Sequence, residues 1–102
     1  MKRKTQDKRK LHKDCWDLDF AFIKWLNVHL KVYKKDAARV VDLDYHKFDY
    51  NGRKWSQGEI IDRLISLTNS CLLAGDIWSD GYEEKVTEIL NLWVLVFPAM
   101  WW

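Results

Sequence analysis

The sequence predicts an all-α fold: a small bundle of about three helices at roughly 17–35, 57–74 and 81–97, with a short β-hairpin or an ordered loop at 40–55. Three observations predict it. Apolar residues recur at three- and four-residue spacing in three separate stretches, as amphipathic helices require. Helix-start signals stand ahead of the last two: Ser56-Gln57-Gly58-Glu59 is a capping box, and Asp80 is placed as an N-cap. Finally, 102 residues at 48% hydrophobic content, with one proline and four glycines, hold enough apolar material for one core and too little chain for a second domain.

Residues 1–13 contain Leu11 as their only large apolar side chain and are expected to be a flexible basic arm, with 14–102 forming a single helical domain. In the first helix Leu18, Phe22, Trp25, His29 and Val32 share one stripe, with Leu26 and Tyr33 beside it. Asp14 and Asp17 at its start and Lys31, Lys34 and Lys35 at its end complement the helix dipole. Phe20, Ile23 and Leu30 lie off that stripe, so the helix is expected to be covered on more than one side.

From Val41 to Tyr45 apolar and polar residues alternate as in a half-buried strand, and Asn51-Gly52 is a turn signal because both residues tolerate positive φ. A hairpin pairing 40–49 with 53–55 and a tucked loop anchored by Tyr45, Phe48, Tyr50 and Trp55 both fit. The second helix carries Ile60, Leu64, Leu67 and Cys71 on one stripe and Ile61, Ile65, Thr68 and Leu72 on the next, and Ala74-Gly75 stops it. In the third, Val86, Ile89, Leu90, Trp93, Val94 and Phe97 follow at helical spacing until Pro98. Trp16, Trp25 and Trp93 are expected in the core.

Most chemistries find no constellation. His12 and Cys15 have zinc-ligand spacing, but no second pair completes four ligands, so no metal is expected. The run Asp42-x-Asp44-x-His46 fails as a calcium loop because a nitrogen donor and Lys47 stand where oxygen and glycine are required. Cys15 lies among Asp14, Asp17 and Asp19, which disfavours a thiolate, and Cys71 reads as core. No phosphate loop, nucleophile elbow or paired-carboxylate motif is present, so the chain is read as no enzyme and as needing no cofactor. Two cysteines far apart read as free thiols in a reducing cytosol. The basic start leads into acids rather than an apolar core, and Ile89 to Trp102 is too short to span a bilayer; the expectation is a cytoplasmic protein with no membrane partner.

Charge is unevenly spread. Residues 1–13 balance to +6 and residues 55–102 to −5. The arm residues Lys2, Arg3, Lys4, Lys8, Arg9 and Lys10 could neutralise phosphates non-specifically, yet the body lacks a basic face. Seven tryptophans and an acidic half suit a protein partner instead. The partner-binding candidates are Trp78, Trp101 and Trp102 as aromatic anchors, with Asp76, Asp80, Glu83 and Glu84 as the acidic surface.

The elements Asp14-Cys15-Trp16-Asp17-Leu18-Asp19 continuing through Ile23-Lys24-Trp25-Leu26 to Leu30, Asp44-Tyr45-His46-Lys47-Phe48-x-Tyr50-Asn51-Gly52 then Trp55-Ser56-Gln57, and Trp93-Val94-x-Val96-Phe97-Pro98-Ala99-Met100-Trp101-Trp102 resemble a family of small all-helical bacteriophage and prophage proteins. The resemblance covers roughly 14–102. It departs at Val28-His29-Leu30, where such proteins often carry Pro-Arg-Leu. It implies phage origin and a small helical fold and brings no catalytic residues. The expected function is therefore that of a non-catalytic phage or prophage accessory protein in the bacterial cytoplasm. It would bind a host or phage protein stoichiometrically, inhibiting or redirecting host machinery such as a CRISPR-type defence nuclease. The alternatives are a nucleic-acid-binding accessory protein that uses the arm, and a self-assembling homo-oligomeric phage component.

Overall fold

The computed structural model describes residues 18–74 and 81–100. They form three helices and one hairpin: α1 (Leu18–Ala37), β1 (Lys47–Tyr50), β2 (Arg53–Ser56), α2 (Gln57–Ala74) and α3 (Tyr82–Val96), closed by a 3-10 turn at Phe97–Ala99. Pro98, in that turn, has no N–H to continue the α-helical ladder. The helical class and the hairpin agree with the sequence; the basic arm and the Cys15-Trp16 element lie outside the described residues.

The hairpin is shorter than the alternation suggested. β1 and β2 pair antiparallel with Phe48 opposite Trp55 and Tyr50 opposite Arg53. Asn51 and Gly52 have φ of 51° and 76°, so both central residues are left-handed, as a two-residue hairpin turn matched to strand twist requires. Val41–Tyr45 is not a strand. Its alternation arises from successive turns in which the Asp44 N–H donates to the Asp42 carboxylate (2.9 Å) and the Tyr45 N–H to the Asp42 carbonyl (3.2 Å). Local side-chain acceptors of this kind compete with a ladder. Leu43 alone turns inward there, and its carbonyl accepts from the Gly58 N–H at 2.8 Å.

β2 runs directly into α2, and the capping box makes the join. The Glu59 N–H donates to Ser56 Oγ (3.1 Å) and the Ser56 N–H donates to Glu59 Oε1 (2.9 Å), so two otherwise orphaned amides are satisfied reciprocally. The other expected cap is different: Gly81, at φ 83°, occupies the N-cap position of α3 and makes no side-chain cap, while Asp80 lies outside the described residues.

α2 is the shared wall of the core. Ile60, Ile61, Leu64, Leu67, Thr68 and Cys71 are all buried, so both of its stripes are covered. Asn27, early in α1, reaches Thr68 and Asn69 late in α2, while Gln57, at the start of α2, donates to the Tyr33 hydroxyl late in α1; the two helices are antiparallel. Lys85 Nζ donates to Ser70 Oγ, and Arg63 makes a forked pair with Glu88 at 2.9 and 3.0 Å, so α3 is antiparallel to α2 as well. α1 and α3 therefore run the same way, and the Tyr82 hydroxyl pins their first turns together by donating to Asp19 Oδ2 at 2.8 Å.

The face of α1 that enters the core is not the stripe the spacing favoured. Ile23, Leu26, Asn27 and Leu30 are buried, whereas Leu18, Trp25 and Val32 are exposed. Asn27 decides the orientation. Its amide donates at 2.8 Å to both Thr68 Oγ1 and Asn69 Oδ1, and this buried polar link fits only with the 23–26–30 stripe inward. α3 is likewise rotated: Tyr82, Ile89, Leu92 and Val96 are buried, and Leu90, Val94 and Phe97 face out.

Two outcomes follow. Asn27→Ala strands the Asn69 acceptor and opens a void, and is expected to lower the unfolding free energy by about 1–3 kcal/mol in a urea titration. The backbone amide of Ser56, helped by Arg53, holds the Glu59 carboxyl below the ordinary glutamate range. Because the folded value is lowered, that stabilisation is present above the unfolded value and disappears as pH falls through the folded one. The stability advantage of the native chain over Glu59→Gln is therefore expected to shrink on acidification; a gap that stays constant with pH contradicts the linkage.

Candidate functional site

Because α1 and α3 both lean on α2, the faces they turn away from it carry side chains with no cover. On α1 these are Trp25, Val28 and Val32, with Trp25 50% exposed. On α3 they are Leu90, Val94 and Phe97, of which Val94 is 71% exposed and Phe97 57%. Apolar residues scattered singly over a surface are ordinary, but Trp25, Val32 and Phe97 come together from the two parallel helices at one groove.

Between the two helices this face dips into an apolar groove of about 300 Å³. Leu26 and Leu30 form its floor, Trp25, His29 and Val32 one wall, and Trp93, Phe97 and Met100 the other. The walls are stiffened by stacking. His29 lies on Trp25 with ring centroids 4.3 Å apart, and its Nδ1–H donates to the Trp25 carbonyl at 2.7 Å. Trp93 and Phe97 stack at 4.6 Å. Large aromatics held in one rotamer lose little entropy when a partner covers them, which is why they recur as interface anchors.

The two helices differ in exposed charge. Lys24, Lys31 and Lys35 line the outer flank of α1, all exposed. Glu83 and Glu84 are exposed on the first turn of α3. They also border a separate polar hollow of about 410 Å³ with Tyr50, Asn51 and Thr87. Glu88 beside them is engaged by Arg63, so the hollow has the character of a solvated acidic surface.

The groove is equipped for contact. His29 spends one ring nitrogen on the backbone, and neither a carboxylate nor a thiol lines the groove. Cys71 lies on α2 inside the core, 1% exposed, where burial pushes its thiol pKa up despite nearby Lys85. Among the described residues no group of three or more His, Cys, Asp or Glu could hold a metal, and no helix is long and apolar enough to cross a membrane.

Of the residues singled out from the sequence, Glu83 and Glu84 are exposed on the first turn of α3 and border the separate polar hollow, not the groove. Trp78, Trp101, Trp102, Asp76 and Asp80 lie outside the described residues, as do Lys2, Arg3, Lys4, Lys8, Arg9 and Lys10. Trp25, expected in the core, is instead half-exposed on the groove wall, and Trp93 is partly buried against the core. Val32, Leu90, Val94 and Phe97 were expected inside and form the outer face. The signal that marks them is the doubled pattern on α1. Leu18, Trp25 and Val32 recur every seven residues beside the Ile23–Leu26–Leu30 stripe, and one neighbouring helix cannot cover both.

No family model matches the chain, and neither curated proteins nor solved structures yield a match.

The buried thiol has a measurable consequence. In a Cys15→Ser chain, Cys71 is expected to resist a thiol reagent at neutral pH and to react at the rate of global opening, accelerating with denaturant. Rapid stoichiometric labelling of the native chain contradicts its placement.

Proposed function

We propose that this chain acts by stoichiometric protein–protein binding, through the apolar face shared by α1 and α3. The single observation that carries the reading is the apolar groove walled by Trp25, Val32, Trp93 and Phe97, on helices that carry exposed lysines along α1 and exposed glutamates on the first turn of α3. An apolar centre with a charged margin is the anatomy of a protein interface: burial of the centre supplies affinity, and the margin supplies orientation and association rate. Catalysis is not part of this reading, because the groove offers aromatic surface and no activated nucleophile or acid–base pair. Joined to the phage-family resemblance, the reading is of an accessory protein of phage or prophage origin whose partner is a host or phage protein in the bacterial cytoplasm, a defence nuclease among the host candidates.

Site-specific cross-linking tests it. A photoreactive residue replacing Val32 in the groove is compared with one replacing Ser66, which is exposed on α2 away from the groove. The Val32 probe is expected to yield one discrete adduct in cells and the Ser66 probe none. Equal capture at both positions, or none at either, contradicts a docking role for this face.

A further inference from the structure

Resting on that reading of the α1–α3 face, we infer that the protein docked there is a second copy of this chain, related by a twofold axis parallel to the helices, so that α1 of each copy lies over α3 of the other.

Area is the first argument. Leu18, Trp25, Val28, Val32, Leu90, Val94 and Phe97 are each 46–71% exposed. Together they leave roughly 700 Å² open, more than a monomer usually shows in one apolar patch and close to the ~800 Å² per partner of a standard interface. Such a face suits an isologous contact, in which one patch meets itself.

Register is the second. The Tyr82–Asp19 hydrogen bond sets the levels of α1 and α3 relative to each other. Counted from that pin at 1.5 Å per residue, Trp25 stands within ~3 Å of the level of Leu90, and Val32 within ~2 Å of the level of Val94. A twofold axis along the helices preserves level while exchanging sides. It therefore brings Trp25 over the partner's Leu90 and Val32 over the partner's Val94, apolar against apolar along the whole face.

Charge is the third, and it selects among the ways two faces can meet. The same axis carries the Lys24 rim to the acidic rim of the other copy, with Lys24 within ~5 Å of the level of Glu84, inside the reach of a lysine side chain. This contact forms twice. A twofold axis across the helices would instead stack α1 on α1 and set Lys24, Lys31 and Lys35 against the same basic rim, which like-charge repulsion disfavours. A closed pair of this kind spends the same face on both copies, so the contact itself does not propagate beyond the dimer.

Sedimentation velocity on the full chain, across a concentration series and at low and high salt, reads the outcome. A species of twice the 12.3 kDa chain mass is expected. Lys24→Glu sets like negative charges at the Lys24–Glu84 contact, and Glu83→Lys/Glu84→Lys sets like positive charges there. Each variant alone is expected to dissociate about tenfold more readily at low salt and by less at high salt. Mixed together, the two variants are expected to recover a heterodimer at native affinity, because each contact is then again opposite in sign. Val32→Glu, at an exposed position with unchanged circular dichroism, is expected to be monomeric. A monomer at every concentration, an assembly larger than two, or variants that dissociate without recovering on mixing overturns the proposal. If the native chain is monomeric while the Val32 cross-linker still captures one discrete protein, the self-pairing alone fails and the docking face stands. If the Val32 probe also captures nothing, both fall.

Discussion

Everything in this fold depends on α2 having a buried arc wide enough for two neighbours. Its two adjacent stripes, Ile60–Leu64–Leu67–Cys71 and Ile61–Ile65–Thr68–Leu72, pack into one core shared with both neighbours. The Thr68 side meets Asn27 of α1, and the Ser70 side meets Lys85 of α3. The capping box starts this helix directly from β2, so the hairpin is carried on its first turn. A chain this short supplies one core, and concentrating that core on a single central helix is how it covers three amphipathic segments at once. Leu26, Leu64 and Leu92 are each fully buried, and truncation at such a position typically costs about 2–5 kcal/mol.

The same arrangement explains why an apolar face remains open. Two helices that each lean on a third need not cover one another along their outward stripes, and here a hydrogen bond from Tyr82 to Asp19 joins their first turns. Their outward stripes are therefore left to solvent. A fourth apolar layer would close such a bundle, and none is present among the described residues. The groove is thus a consequence of the topology, and the stacked Trp25–His29 and Trp93–Phe97 pairs give it rigid walls.

Much of this was legible in the sequence, and the failures have physical causes. The capping box fixed the start of α2 because two side chains and two amides define it locally. Asn51-Gly52 marked the hairpin turn for an equally local reason, positive φ at both residues. Which stripe of α1 faces inward was not legible, because Ile23–Leu26–Leu30 and Leu18–Trp25–Val32 are both apolar at helical spacing. The choice is made by Asn27 pairing across 41 and 42 residues of chain with Thr68 and Asn69, a contact no local pattern announces. The same degeneracy misassigned Leu90, Val94 and Phe97. Val41–Tyr45 misled because an Asx turn can alternate polar and apolar residues as a strand does. None of the groove residues was anticipated as a site: the aromatic walls Trp25 and Trp93 were taken for core, since large aromatics on a helix are more often buried than displayed.

The central claim is that the α1–α3 face is a contact surface. Oxidative footprinting of the full chain reads it directly, by following modification of Trp25 and Phe97 as protein concentration rises. The account predicts progressive protection of these two residues in step with each other, while the exposed outer flank of α2 around Ser66 and Leu73 keeps its reactivity. Undiminished reactivity of Trp25 and Phe97 at every concentration, with and without host lysate present, contradicts it.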